Sequence, residues 1–330
     1  MLDLRPTNTA GVSAPHYASL GSHALGQTST HSTADSAKRL TRGSPRVVTS
    51  HASATRIAAE RIGDEVRRLD RLVDEYRVKN STLGYFAAVY REMTAAVWQC
   101  FTPGSGQRPI IYPTMMADFI HIFAERYFDA LRCPHRATES WQVAFAAQDA
   151  PLVVHLLTSM NAHIRLDLGL ALAEATRTET KCQLFRKDFD IINKLVSGYD
   201  PTNELLGKQT PPGMVHKVAE TLREASPSTA LFDGVLGGML RSALADRIVL
   251  ERVHVVDVAE AGIAALRSRQ PHAFREVEQR RDADVARAGR FLLGTTPWSA
   301  ALHKTVRWFE RSPLEIIDIL RPPQLSLAAP

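Results

Sequence analysis

No run of apolar residues in this chain approaches the roughly 18–20 needed to cross a bilayer, and no secretory hydrophobic region follows Met1. Neither a membrane span nor a cleaved leader is expected. Cysteine is scarce as well. The 3 present, Cys100, Cys133 and Cys182, lie far apart and form no CxxC pair. That spacing argues against a zinc knuckle and a disulfide framework, and it suits reduced thiols in a cytoplasmic protein. The usual catalytic signatures are missing too: no GxSxG elbow, no Walker loop, no GxGxxG after a strand and no HExxH. No useful length of chain alternates with the period of a strand, and no internal repeat is found.

What is there is ordinary globular composition, with 45% hydrophobic and 23% charged residues in a chain of 330. That length holds one large domain or two ordinary ones and can bury a substantial core. The net charge of +5 hints at nucleic acid, but its distribution weakens the hint. Arg5, Lys38, Arg39, Arg42 and Arg46 against Asp3 and Asp35 leave +3 in residues 1–50, and +2 for the rest. The aromatics show no stacking pattern among the basic residues. Nucleic acid is therefore disfavoured as a partner.

Residues 1–52 are rich in Ser, Thr, Ala, Gly and His and carry no apolar period, which predicts a disordered extension. From Thr55 the pattern turns helical. Ile57, Ile62, Val66, Leu69, Leu72, Val73 and Tyr76 recur at three- and four-residue steps. Asn80-Ser81-Thr82 interrupts that helix and offers an N-cap to the next, over 83–101. Thr114 is expected to cap a helix that Pro134 ends, followed by a short helix around Trp141–Phe145. A long apolar helix should start near Pro151 and run to about Ala175. Further helices are expected at about 182–196, 214–225, 230–267, 272–292 and 298–311. The Pro- and Gly-rich stretch 198–213 reads as a long loop, mobile or site-covering. The fold class is all-α: a single bundle-like domain over 53–320, between the extension and a tail at 321–330.

The most informative segment is Ser159-Met160-Asn161-Ala162-His163-Ile164-Arg165-Leu166-Asp167-Leu168-Gly169-Leu170-Ala171-Leu172. Asn, His and Asp sit inside an otherwise apolar helix, where a polar group costs a few kcal/mol unless something bonds it. His163 and Asp167 are four apart and share a helix face. The carboxylate can orient the imidazole and fix its tautomer for acid–base work. The bland reading, which comes first, is a structural hydrogen-bond network, and metal ligation by the same two groups comes last. Asn161 lies about 200° around the helix from His163, so it is expected to bond a neighbouring element. Spacing alone is weak evidence, because His31/Asp35, His121/Glu125, His135/Glu139, His216/Glu220 and His272/Glu276 share it. The apolar setting is what separates His163/Asp167 from these solvated pairs.

Two further clusters stand out. Asp118, His121 and Glu125 precede one another at helical spacing among Phe119, Ile122 and Phe123. A dimetal bundle would need a Glu-x-x-His on each of two helices, and only Glu251-x-x-His254 fits, so that constellation is incomplete. In Lys187-Asp188-Phe189-Asp190-Ile191-Ile192-Asn193, Asp190 and Asn193 fall on one face. Asp188 is expected in an early turn, where a carboxylate favours the helix dipole. It and Asn193 could alternatively cross to the His163 helix.

Met160-Asn161-Ala162-His163-Ile164-x-x-Asp167-Leu168 resembles the helix motif Met-Asn-Ala-His-Ile-Asn-x-Asp-Leu of an uncharacterised, mainly bacterial family. Asp188-Phe189-x-x-Ile192-Asn193 resembles the same family's Asp-Phe-x-x-(Val/Ile)-Asn segment, with looser matches at Phe123-Ala124-x-x-Tyr127 and Trp141-x-x-x-Phe145. The resemblance spans about residues 83–295 and implies an all-α fold with a shared polar cluster of Asn161, His163, Asp167, Asp188 and Asn193. The chain departs from the motif at Arg165, where the family has Asn and this protein offers a guanidinium to an anion.

Two functions fit these residues. One is a helical enzyme acting on a small organic molecule, with His163, Asp167, Asn161 and Asn193 in the catalytic set and Arg165 and Asp188 binding substrate. Its chemistry would be acid–base cyclisation or isomerisation, or metal-assisted hydrolysis through His163, Asp167 and Asp188. The other is a non-catalytic binding or scaffold protein whose polar cluster fixes helix register. Cofactor, metal and oligomeric state are left open by the sequence.

Overall fold

The computed structural model describes residues 45–101, 109–197, 255–268, 270, 272–294, 297–308 and 310–321. The chain divides into Met1–Val47 and Val48–Pro330, and the helices below build the second unit. Residues 1–44 of the expected extension, the loop at 198–213, the helices at 214–225 and 230–254, the Glu251/His254 pair and the tail after Arg321 lie outside the described residues, whereas residues 45–52, expected in the extension, are the first turns of a helix. Among the described residues there is no strand, so the fold is all-α.

The helices are α1 (Pro45–Val78), α2 (Leu83–Gln99), α3 (Pro113–Arg132), α4 (Glu139–Ala146), α5 (Leu152–Ala162), α6 (Leu168–Thr176), α7 (Glu179–Ser197), α8 (Val255–Arg267), α9 (Ala273–Leu293), α10 (Pro297–Trp308) and α11 (Pro313–Leu320). Helix α1 begins ahead of Thr55. Its inward stripe is Ile62, Val66, Leu69 and Val73, all sealed from solvent, while Ile57 falls off the stripe and is exposed. Helix α11 is absent from the pattern-based expectation. It is started by a capping box in which Ser312 Oγ accepts from Glu315 N and the Glu315 carboxylate accepts from Ser312 N.

Helices α5 and α6 are one continuous rod from Leu152 to Thr176, joined by a single widened π-helical turn at His163–Asp167. The rod is apolar on nearly every side, which suits a helix surrounded by others. Helix α8 and α3 pack on α6, α9 packs on α4 and α5, and α2 packs on α5. Leu166, Leu168, Leu170 and Leu172 are fully buried, each stabilising the fold by roughly 1.5–3 kcal/mol.

Capping follows expectation only in part. Of the Asn80-Ser81-Thr82 segment, Ser81 Oγ accepts from Leu83 N at 3.4 Å at the start of α2 while the Thr82 hydroxyl donates to Gln148 O; Thr114 does not cap α3, which opens at Pro113 after Tyr112. Asn80, in the left-handed region at φ 48°, closes α1 and turns its amide oxygen to Leu314 N at the start of α11. Three other helix starts are served by distant acids. Asp188 of α7 accepts from Ile111 N (2.8 Å) and Tyr112 N (2.6 Å) ahead of α3. Asp282 of α9 accepts from Glu139 N and Ser140 N at the start of α4. Glu310 accepts from Leu152 N at the start of α5. Each carboxylate satisfies amides that have no partner inside their own helix and sits at the positive end of its dipole.

The crossing of α6 and α8 needs two glycines. A Cβ on Gly169 would lie 2.4 Å from Val258 Cγ1, and one on Gly262 would lie 2.8 Å from the Ala173 methyl. Replacing Gly169 by Ala should lower the urea midpoint by the equivalent of about 1–3 kcal/mol. Adding Val258→Ala should restore part of the loss; equal midpoints for single and double variants would mean that this contact is not the constraint.

His155 of α5 is buried edge-on to Tyr85, with ring centroids 5.7 Å apart, and no hydrogen bond of ordinary geometry reaches either ring nitrogen. Burial, opposed in part by a backbone contact with Ala147 and helped by Arg307, pulls its pKa down from 6.5 to about 4. The neutral ring therefore supports the fold above pH 6.5, and this support is lost as pH falls toward 4. Over that window the protein should lose up to about 3 kcal/mol of stability, read from denaturant midpoints, and His155→Leu should flatten the profile.

Candidate functional site

Asp167 closes the widened turn and is 1% exposed. Three donors from three elements converge on it. Arg126 Nε of α3 donates to Oδ1 at 2.9 Å. Trp141 Nε1 of α4 donates to Oδ2 at 2.8 Å, and His163 Nδ1 lies 3.0 Å from the same oxygen. Burial alone would push the Asp167 pKa up. The Arg126 charge, followed by the His163 and Trp141 bonds, outweighs burial and holds the carboxyl below its usual range. An ionised carboxylate only accepts, so Nδ1 of His163 carries the proton of that bond. Arg126 also reaches Glu174 of α6 and Glu278 of α9. Burial works against its cation, but Asp167, Glu278 and Glu174 keep it charged.

His163 is 1% exposed and surrounded by rings. It stacks on Phe123 at 3.7 Å, and Tyr90 stands edge-on at 4.6 Å. Phe86, Trp141 and Tyr127 complete the surround at 5.6–6.0 Å. The imidazole forms part of the wall of an apolar cavity of about 80 Å³. Its lining comes from α2 (Phe86, Val89, Tyr90, Met93, Thr94, Val97), α3 (Met116, Phe119, Ile120, Phe123), the central rod (Met160, His163, Ile164, Leu168) and Ile192 of α7. Asp167 borders a second, polar cavity of about 200 Å³ with Arg126, Asp129, Cys133, Arg136, Thr138, Trp141 and Glu278. The pair thus stands between an apolar space on the histidine side and a charged one on the carboxylate side.

The other sequence candidates fall around this pair. Asn161 is buried in α5; its amide donates to Val285 O of α9 at 2.9 Å, and Arg165 Nη1 donates to its oxygen at 3.1 Å. The Arg165 carbonyl accepts from Arg281 Nε. Asp188 is in the middle of α7, not in an early turn, and does not join His163 and Asp167. Both of its oxygens are taken by the Ile111 and Tyr112 amides, and its pKa is raised by burial despite them. Asn193 is buried on α7 while Asp190, three residues before it, is exposed.

A set of three potential metal ligands among the described residues is Glu65, His121 and Glu125, with ligand atoms within 4.8 Å of one another. The Arg68 guanidinium already bridges the two carboxylates, at 2.9 and 2.5 Å, and His121 Nδ1 lies 2.7 Å from Glu65. Asp118 pairs instead with Arg61. Sequence reasoning did not foresee Arg126, Glu174, Glu278 or Tyr90. Arg126 had a signal, since it is a cation inside the Phe123-Ala124-x-x-Tyr127 stretch of a buried helix face.

Residues 62–295 match the model of a family described as "Family of unknown function (DUF5995)". That stretch contains every member of the Asp167 cluster. No curated protein matches, and no solved structure matches.

Asp167→Asn should cost about 3 kcal/mol, because it leaves the buried Arg126 without its nearest anion. The lowered pKa of Asp167 gives stability that is present above its unfolded value and lost as pH falls through the folded one. Wild-type stability should therefore drop more steeply than that of Asp167→Asn below about pH 4, measured by urea titration at stepped pH.

Proposed function

The chain belongs to the DUF5995 family of unknown function, and we propose that it is a helical enzyme that encloses a small apolar organic molecule beside His163. The observation that carries this reading is a buried imidazole that borders an apolar cavity while an ionised carboxylate fixes its other side. In that arrangement His163 is the acid–base group and Asp167 positions it and sets its tautomer. Cyclisation or isomerisation needs little more than a shaped apolar space and one group that moves a proton. Asn161, Arg165, Asp188 and Asn193 act in this reading by holding the surrounding helices. We read Met160–Leu168 as the signature segment of the family, and the cytoplasm as the compartment in which the exposed Cys133 thiol stays reduced.

Acid–base chemistry is favoured over metal-assisted hydrolysis by the commitments of the carboxylates. Asp167 is bound by three donors and Asp188 by two backbone amides. One observation favours the scaffold reading: the same Asp167 ties α3, α4 and the central rod together.

Methionine-methyl NMR separates the readings, because Met93, Met116 and Met160 all line the cavity. Small apolar fragments should shift these three methyls together, and Val89→Phe, which fills the space, should abolish the shifts. His163→Gln should keep fragment binding within about threefold and slow conversion of any fragment that reacts by at least ~100-fold, followed by gas chromatography. If no apolar fragment moves the three methyls, the proposal fails. A His163→Gln chain that unfolds and binds nothing supports the scaffold.

A further inference from the structure

The cavity that borders His163 is lined by two polar side chains that the reading above does not use, Tyr90 and Thr94. Tyr90 lines it, is 7% exposed, and no hydrogen bond of ordinary geometry reaches its Oη. The neighbouring Thr94 hydroxyl donates to the Tyr90 carbonyl at 2.8 Å, so its proton is committed to the backbone. Burial pushes the Tyr90 pKa well above 10, with Glu65 and Asp167 adding to the rise and Thr94 countering only part of it. The phenol therefore keeps its proton and is a donor. The Thr94 oxygen can still accept, but its contact with Oη falls short of ordinary hydrogen-bond geometry, and a buried donor so weakly served asks for an explanation. The rest of the lining is almost wholly hydrocarbon and aromatic, apart from His163 and Thr94.

We propose that Tyr90 is the hydrogen-bond donor of this cavity, and that its ligand is an apolar molecule whose enclosed part carries a single carbonyl oxygen. The inference rests on the cavity being a ligand site, as proposed above. A carbonyl bound to Tyr90 would stand in the same small space as His163, whose ring centroid is 4.6 Å from that of Tyr90. That is the setting which proton transfer next to a carbonyl requires. The volume of about 80 Å³ is smaller than the ~150 Å³ of an engineered cavity that admits benzene. The enclosed part of the ligand is then about three to four heavy atoms. Met93, Met160 and Ile164 are partly exposed, so a longer apolar tail can leave between them.

The test uses two probes of nearly equal shape, butanone and 2-methyl-1-butene, titrated into the full chain and its Tyr90→Phe variant while the Met93, Met116 and Met160 methyls are followed. The variant should bind butanone about 5–10-fold more weakly and the alkene within about twofold of wild type. Its melting temperature should equal or exceed that of wild type, because the hydroxyl removed makes no hydrogen bond of ordinary geometry. Unchanged butanone affinity, or equal weakening of both probes, overturns the role of Tyr90 and leaves the cavity as a ligand site. If neither probe moves the methyls of either chain, the proposed function and this inference fall together.

Discussion

The buried charge of Asp167 is the constraint around which the rest of this structure is arranged. A carboxylate this far from water survives only with close positive charge and well-placed donors. Arg126 supplies the charge, and Trp141 and His163 supply further bonds. Arg126 in turn lies between three acids on three elements, so meeting the needs of one ion fixes α3, α4, α6 and α9 together. The position of His163 follows from the same requirement. Its ring is held at one nitrogen and packed by aromatic faces, which leaves it little freedom to tilt.

The widened turn lies in the middle of a rod that packs its apolar faces against α8 and α9, and it spans His163 and Asp167, which bond within it. One π turn interrupts the regular ladder there without ending the helix, the kind of local irregularity that often accompanies a functional position. It also gives the two cavities a shared wall, since the residues at its two ends border different spaces.

Much of this was legible in the chain because helical period is written locally. The stripe Ile62, Val66, Leu69 and Val73 announces α1, and polar residues in the apolar run 159–172 announce a buried cluster. Partnership over distance is not written that way. Nothing near Asp167 names Arg126 or Trp141, and nothing near Tyr112 names Asp188 as the acid that serves it. A local cap is written at Ser81, whose hydroxyl accepts from Leu83 N ahead of α2, but not at Thr114, since the amides ahead of α3 are met by Asp188 from another helix. Helix α11 is the opposite case: Ser312-Pro313-Leu314-Glu315 carries a complete local start signal, but its apolar run is too short to stand out by period from the tail that follows.

The caps that come from afar also bear on where this protein ends as a physical object. The stretch matched by the family stops at residue 295, yet Glu310 holds the first amide of α5, and α11 lies over Gly84, where Ile317 occupies the space a side chain would need. The rod that carries His163 is therefore anchored by residues beyond the family's border. Cutting the chain at that border would free the start of α5 to fray and uncover α2, loosening the central rod from its outer end inward. The unit that folds is longer than the unit that sequence likeness recognises.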